Sequence, residues 1–330
     1  MERIVVPEFS NLSSEIPVDA PYADVLSEAL SDAKIASRVG DNRKTVFAYT
    51  AASECFRRLG RVEDAFVVID ACRNILQEPI NLNQSGWMLW SAGNLHRQTG
   101  NYQEAAELLR HACNFAIDAR DIRCFIYALS GQAEIERILG NYSRAIPEHF
   151  RLFDLYRSQQ DLRGMIWSYE GIGQMLKNLG CYSQGLFYFR QALLWSHKSQ
   201  DRRGLGFALK GVGELCGIMG DRFTSRRLMR EAIAIFSDIN YDIGLAYSMK
   251  TLADLEKGFK NPELSLSLYF QAMEIFESRK NFTGYHYASI GATDHVNKEE
   301  GKCHLIESFK YFSQKGIMYG ASLARSRLNL

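Results

Sequence analysis

The segment Leu139-Gly140-Asn141-Tyr142 has counterparts forty residues before it and forty residues after it, and this repeat decides the fold. The counterparts are Thr99-Gly100-Asn101-Tyr102 and Leu179-Gly180-Cys181-Tyr182, and the same register places glycine at Gly60 and Gly220. Glycine just past a helical pattern tolerates the left-handed backbone that ends a helix. A new amphipathic pattern begins within three residues of each glycine, so each unit is predicted to be helix, turn, helix.

Aspartate follows the same period, at Asp41, Asp121, Asp161 and Asp201. Each aspartate stands where the N-cap side chain of the next helix accepts hydrogen bonds from its first amides. Stacked helical hairpins in a fixed register are the signature of a solenoid. The sequence therefore predicts an all-α fold, an α-solenoid.

Small residues hold two further positions of the repeat. They occur late in the first helix of each hairpin and near the start of the second: Ser53, Gly93, Ala133, Gly173, Gly213 and Ala253, then Ala65, Ala105, Ala145 and Gly185. With the turn glycine and the tyrosine two residues after it, this pattern resembles the tetratricopeptide repeats, in the forty-residue class of the Rapsyn-like and LGN-like adaptors. The resemblance implies a right-handed superhelix of about seven hairpins that binds proteins or peptides.

Three segments are expected along the chain. Residues 1–21 have no apolar run long enough for a signal peptide or a membrane span, and are expected to be a flexible or loosely docked leader. Residues 22–315 form the repeat array, which ends in a weaker pair of helices at about 283–297 and 302–314. Residues 316–330 are expected to be a capping helix with a polar outer face.

Composition narrows the function classes. The chain has 330 residues, 46% of them hydrophobic, and a net charge of +1, which gives no basic footprint for nucleic acid. Its seven cysteines include no Cys-x-x-Cys pair, which favours reduced thiols and a cytoplasmic location. The seven histidines include no His-Glu-x-x-His motif and no metal-like spacing, and no glycine-rich phosphate loop follows a strand. No catalytic residue, metal site or cofactor is therefore predicted, and an enzyme is less favoured than a binding protein.

An aromatic residue recurs every forty residues in the first helix of each hairpin. This aromatic ladder consists of Phe47, Trp87, Tyr127, Trp167, Phe207, Tyr247 and Tyr287. At about 100° per residue, the fourth of these helices places five residues in one arc: Arg163, Trp167, Glu170, Gln174 and Lys177. The opposite side of the helix carries the predicted core stripe, Tyr169, Ile172, Leu176 and Leu179. By elimination, the ladder is expected to face away from the core into a concave groove, with Gly171 and Gly173 facing neighbouring units.

Two interpretations of the ladder stay open. The rings either line a ligand groove, because seven exposed rings would otherwise form a large apolar patch, or stack on one another inside a tight superhelix. The polar residues beside them, which include Arg97 and Arg137, are interpreted either as recognition groups or as pairs within one helix, such as Glu54 with Arg57. The amides of Asn94 and Gln174 are the candidates for recognition of a peptide main chain.

The two ends of the predicted groove differ in charge. Trp90 forms an aromatic cluster with Trp87 and Tyr127, whereas the corresponding position farther along holds Glu170, Lys210 and Lys250. A carboxylate of the ligand would be favoured at the basic end, although a solvated basic face would give the same pattern.

The predicted function is that of a peptide-binding or protein-binding adaptor, or of a peptide-responsive regulator. The ligand would be a protein or peptide segment, with no membrane involved and nucleic acid disfavoured. An alternative is an accessory enzyme or small-molecule-binding protein whose ligand lies in the aromatic groove. The sequence indicates neither the partner nor the oligomeric state.

Overall fold

A computed structural model of the protein describes residues 22–76, 82–259 and 261–328. Within these ranges it contains sixteen α-helices and no β-strand. In chain order the helices are α1 (Tyr22–Arg38), α2 (Asn42–Arg58), α3 (Val62–Ile75), α4 (Leu82–Gln98), α5 (Tyr102–Asp118), α6 (Ile122–Leu139), α7 (Tyr142–Ser158), α8 (Leu162–Asn178), α9 (Tyr182–Ser199), α10 (Arg202–Ile218), α11 (Arg222–Asp238), α12 (Asp242–Gly258), α13 (Pro262–Ser278), α14 (Phe282–Ala292), α15 (Lys298–Gln314) and α16 (Met318–Leu328).

The helices alternate between two roles. The even-numbered helices from α2 to α14 open the hairpins and are called helices A, and the odd-numbered helices from α3 to α15 close them and are called helices B. Within a hairpin the two helices pack together, as α10 does on α11, and helices A of successive hairpins also pack, as α8 does on α10. This is an all-α solenoid, as predicted. No helix in the described ranges has the length and apolar character needed to cross a membrane.

The chain divides into two compact units, residues 1–135 and residues 136–330. The core of the first unit includes Phe56 and Leu95, which are almost fully buried. The core of the second unit includes Tyr269 and Phe276, both with no exposed surface. Each unit therefore buries its own apolar residues between its helices.

Two kinds of turn hold the repeat in register. Between helix A and helix B, glycine takes the left-handed conformation, with φ of +88° at Gly140 and +78° at Gly180. Between one hairpin and the next, the left-handed residue is not glycine: Arg120, Gln160, Gln200, Asn240 and Lys280 have φ between 51° and 57°. An ordinary residue is strained by roughly 1–2 kcal/mol in this conformation. The predicted aspartate caps are confirmed, since Asp161 accepts a hydrogen bond from the Gly164 amide at 2.9 Å.

Glycines on the helices A make room for large side chains of the helices B. In the first unit, a Cβ on Gly93 or Gly131 would lie 2.7 or 2.8 Å from atoms of Leu109. In the second unit, a Cβ on Gly206 or Gly244 would lie 2.7 or 2.6 Å from the Phe236 ring. All four distances are shorter than the contacts that a Cβ atom makes in real proteins. The two units therefore share one packing device, in which a bulky residue of helix B lies against glycines of two neighbouring helices A.

Some sequence-based details need correction. The helix expected at 283–297 ends at Ala292, and α15 begins at Lys298. In the predicted core stripe of α8, Ile172 is buried but Leu179 is 53% exposed, because it lies at the turn that ends the helix. Gly173 faces Phe189 of its own hairpin and not a neighbouring unit, whereas Gly171 faces His149 of the preceding hairpin as expected. The leader predicted for residues 1–21 lies outside the described residues.

Candidate functional site

The aromatic ladder of the first unit is packed inside the protein. Phe47 on α2 is 2% exposed, and Trp87 and Trp90 on α4 are 1% and 6% exposed. Tyr127 on α6 is half-buried, and its ring centroid lies 6.0 Å from that of Trp87 and 5.8 Å from that of Trp90. Phe47 and Trp87 are therefore buried and not exposed in a groove, and the contact of Trp87 with Tyr127 matches the interpretation in which the rings pack on one another.

A hydrogen bond completes the packing of this cluster. The Trp87 indole N–H donates to Asp121 Oδ2 at 2.8 Å, and Asn83 Nδ2 donates to the same oxygen at 2.9 Å. Asp121 is also the N-cap of α6, since its other oxygen accepts from the Cys124 amide at 3.0 Å. The Trp87, Trp90 and Tyr127 rings therefore pack on one another within the first unit.

The polar residues of the first unit contact one another. Asn94 is buried, donates to the Trp90 carbonyl at 3.2 Å and accepts from Arg97 Nη2 at 3.2 Å. Glu54 is 1% exposed and pairs with Arg57 at 2.7 Å, which confirms the predicted pairing within one helix. Asn94, a candidate for main-chain recognition, thus has its amide engaged inside the unit.

The ladder of the second unit keeps part of its surface open. Trp167 on α8, Phe207 on α10 and Tyr247 on α12 are half-buried. One side of each ring packs against an aromatic or histidine side chain. The centroid distances are 4.6 Å from Trp167 to His149, 4.9 Å from Phe207 to Phe236 and 4.7 Å from Tyr247 to Phe276. The rings therefore combine support from the core with an accessible part.

A charged cluster lies on helices A of the same unit. Lys177 Nζ on α8 and Lys210 Nζ on α10 donate to the same oxygen, Glu214 Oε2, at 2.9 and 3.1 Å. The Thr251 hydroxyl on α12 lies 3.2 Å from the other carboxylate oxygen and 3.0 Å from the Tyr247 carbonyl, and its one proton is shared between these two acceptors. The cluster therefore links three successive helices A.

Burial and neighbouring charges perturb the ionisation of this cluster. Burial lowers the pKa of Lys177 to about 8, although Glu214 acts in the opposite direction. Burial alone would raise the pKa of Glu214, but Lys177 and Lys210 outweigh it and hold that pKa well below its usual range. Two like charges on the order of 5–6 Å apart repel by about 3 kcal/mol at an effective dielectric of about 20. The shared carboxylate is what allows the two ammonium groups to lie close together.

Lys250 forms a second ion pair, with Asp254 on the same helix, α12. Its Nζ donates to Asp254 Oδ2 at 2.7 Å, and the buried Tyr269 hydroxyl donates to the other oxygen of Asp254. Burial alone would lower the pKa of Lys250, but Asp254 outweighs it and raises that pKa. Lys250 is therefore charged and fixed beside Glu214.

The remaining predicted residues differ in their contacts. Arg163 lies 3.7 Å from Asp201, and Gln174 donates to Asn178 at 3.3 Å within α8. Both side chains are half-buried, as are Arg97 in the first unit and Arg137 in the second. Gln174 is the main-chain candidate that keeps accessible surface.

Sequence reasoning missed that the polar ladders connect neighbouring hairpins. The separation of Lys177 from Glu214 is 37 residues, and the pair Lys257 and Asp294 has the same separation, with 2.7 Å between nitrogen and oxygen. A separation of 37 residues is one repeat of forty minus three. It places a lysine of one hairpin beside an acidic residue of the next hairpin. This spacing was the available signal, and Glu214 and Thr251 could have been found with it.

The arrangement is suited to binding. It offers partly accessible aromatic rings and ammonium donors on successive helices, spaced by one repeat. Aromatic surface and charged hydrogen bonds are the groups that anchor peptides to protein surfaces.

Neither a protein-family model nor a curated protein sequence matches the chain. Solved structures do match it. NprR in complex with its cognate peptide NprX has a TM-score of 0.66 at 12% identity, and the match covers 93% of this chain and 97% of that one. A Rap protein complexed with Competence and Sporulation Factor has a TM-score of 0.64 at 12% identity, over 93% and 96% of the two chains.

A third solved structure is similar over almost the whole chain. The Rap conjugation gene regulator of the plasmid pLS20, in complex with the Phr* peptide, has a TM-score of 0.61 at 12% identity, over 98% of this chain and 96% of that one. At this identity the three likenesses show the fold, a solenoid of tetratricopeptide-type helical repeats.

Proposed function

We propose that the protein is a peptide-responsive regulator or adaptor that binds a short peptide on the helix-A surface of its second unit. The observation that carries the proposal is the combination of half-buried Trp167, Phe207 and Tyr247 with the charged cluster around Glu214. The fold likeness to NprR and Rap proteins solved with their peptides supports it.

The finer features of the proposal come from the sequence. We place the chain in the Rapsyn-like and LGN-like class, with its helices A on the concave side of a right-handed superhelix and its location in the cytoplasm. Residues 22–315 would form the array and residues 316–330 its cap. Phe47, Trp87, Trp90, Asn94 and their polar neighbours in the first unit would support the array, and the ligand contacts would come from the second unit.

A synthetic peptide pool tests this function. Heptapeptides randomised over all residue types, with free termini, are passed over the immobilised protein, and retained sequences are identified by mass spectrometry and measured by calorimetry. Trp167→Ala is expected to weaken binding of a retained peptide by about 2 kcal/mol, as truncation of an aromatic hot spot does. Phe223→Ala is the matched control, because Phe223 lies on helix B α11 and is 80% exposed.

Two results would contradict the proposal. One is that the wild-type protein retains no peptide of the pool. The other is that Trp167→Ala, shown to be folded by circular dichroism, retains the same peptides with the same affinity.

A further inference from the structure

The charged cluster of the second unit has N–H donors that no residue in the described ranges accepts. Each lysine ammonium carries three N–H donors, and Glu214 accepts one from Lys177 and one from Lys210. Both lysine side chains keep 12% of their surface exposed. The two nitrogens share one oxygen, which keeps them close enough for a second acceptor to contact both.

The carboxylate oxygens of the cluster already have hydrogen-bond donors from the protein. Glu214 receives two ammonium groups on one oxygen and the Thr251 hydroxyl on the other. Asp254 receives Lys250 on one oxygen and the Tyr269 hydroxyl on the other. Neither carboxylate is left to neutralise a further ammonium group.

The cluster has an excess of one positive charge. Three ammonium groups, Lys177, Lys210 and Lys250, face two carboxylates, Glu214 and Asp254. Lys177 and Lys210 share the single negative charge of Glu214, and an excess of positive charge at a partly buried site is unfavourable, so the cluster favours one added anion. A monoanion balances the excess, whereas a phosphate dianion would reverse its sign.

We propose that Lys177 and Lys210 form a subsite for a carboxylate of the bound peptide, with Glu214 holding the two ammonium groups in place. This inference rests on the proposed function, since it names the group of the peptide that the site recognises. The carboxylate is either the C-terminus of the peptide or an acidic side chain. Lys250 strengthens the positive field at the subsite from the next hairpin.

Three matched peptide pools separate these sources. All are N-acetylated heptapeptides randomised over residues other than Asp and Glu. The first pool ends in a free carboxylate, the second ends in an amide, and the third ends in an amide and carries one Glu at its central position. Retention of each pool by the immobilised protein is measured by mass spectrometry against the second pool.

The expected result is retention of the first or third pool at about ten times the level of the second, because a charge-assisted hydrogen bond contributes about a tenfold gain or more. Preference for the first pool assigns the C-terminal carboxylate, and preference for the third assigns an acidic side chain. The combined variant Lys177→Met, Lys210→Met and Glu214→Gln should reduce this preference to about onefold. It removes all three charges together, so that no unpaired charge is left to unfold the protein.

Lys198→Met is the control, because Lys198 lies over the Trp195 ring on helix B α9 and should leave the preference unchanged. Equal retention of all three pools by the wild-type protein would overturn the subsite and leave peptide binding standing. An unchanged preference in the folded triple variant would overturn it as well. Retention of none of the pools would overturn the proposed function and the subsite with it.

Discussion

The aromatic ladders of the two units occupy the same position of the repeat but have different environments. Trp87 in the first unit is 1% exposed and hydrogen-bonded to Asp121, whereas Trp167 in the second unit is half-buried and stacks on His149. The residue three positions later is Trp90 in the first case and Glu170 in the second. Trp90 packs against the Trp87 ring with 5.4 Å between the centroids and helps to enclose it, whereas a half-buried glutamate holds that position beside Trp167. Position in a repeat therefore sets the direction of a side chain, while its neighbours set the exposure.

The largest expected difference between the two units concerns tryptophan truncation. Trp87→Ala should reduce the free energy of unfolding by about 3–5 kcal/mol, as for a fully buried Trp, and Trp167→Ala by about half as much. Chemical denaturation of both variants, followed by circular dichroism, measures the two losses. Equal losses would show that the difference in burial has no energetic consequence.

Two glutamates at the same repeat position give a second comparison. Glu54 is 1% exposed beside Arg57 and Arg58, whereas the Glu214 side chain is 15% exposed. Replacement by Gln leaves the cations without an anion, so Glu54→Gln should cost about 2–4 kcal/mol and Glu214→Gln about 1–2 kcal/mol. Urea denaturation at pH 7 measures both, and a larger loss for Glu214→Gln would reverse the comparison.

The pKa of Glu54 indicates how the stability of the first unit responds to acid. Burial alone would raise the pKa of Glu54, but Arg57 and Arg58 outweigh it and lower the pKa below its ordinary value of 4.5. The stabilising contribution is therefore complete above about pH 4.5 and is lost as the pH falls through the folded-state pKa. Glu54→Gln should remove this part of the acid sensitivity, which a denaturation series between pH 3 and pH 6 on the order of half-unit steps would detect.

The glycine contacts should behave alike in the two units. Gly93→Leu would press on Leu109 in the first unit, and Gly206→Leu would press on Phe236 in the second. Overpacking of this kind costs about 1–3 kcal/mol, so similar losses are expected. Thermal unfolding of both variants tests whether the units share their packing and differ mainly in their ladders. Unchanged stability in either variant would mean that its helix B side chain moves aside without cost.

The smallest expected effect is the uptake of a proton when the second unit binds a peptide. In the protein without bound peptide, burial lowers the pKa of Lys177 to about 8, so this lysine is about half-protonated at pH 8. A bound carboxylate stabilises the charged form and raises this pKa, so binding at pH 8 should take up roughly half a proton, and almost none near pH 6. Calorimetry in two buffers of different ionisation enthalpy, with a peptide retained from the free-acid pool, measures the uptake. No uptake at pH 8 would argue against contact with Lys177.

Much of the fold could be predicted from the sequence because it depends on local signals in a fixed register. The turn glycines such as Gly140 and the caps such as Asp161 act within a few residues of chain. The turns between hairpins were missed, since Gln160 and its counterparts take the left-handed conformation without being glycine. The Gln160 amide donates to the Arg157 carbonyl at 3.1 Å and the Asp161 amide to the Tyr156 carbonyl at 2.9 Å, so the backbone forms the usual helix-ending turn without the glycine that would signal it in the sequence.

The candidate site was predicted in part. Lys177 and Lys210 were recognised as basic residues of one arc, but their shared partner Glu214 belongs to a contact across 37 residues. The burial of Trp87 depends on Asp121 and Tyr127 from the next hairpin. Both outcomes are properties of neighbouring helices, so the pattern of a single helix could not determine them.

The separation of 37 residues also bears on how such a chain can change its length during evolution. Acidic residues recur at Glu214, Asp254 and Asp294, forty residues apart. Loss of the forty residues that begin with Cys181 would bring Asp254 into the place that Glu214 holds opposite Lys177. The Asp254 carboxylate would then lie opposite the Lys177 ammonium group, so the contact between the two hairpins would keep its ion pair. The array can therefore be shortened or duplicated by whole repeats in this region without creating an unpaired lysine at the new junction.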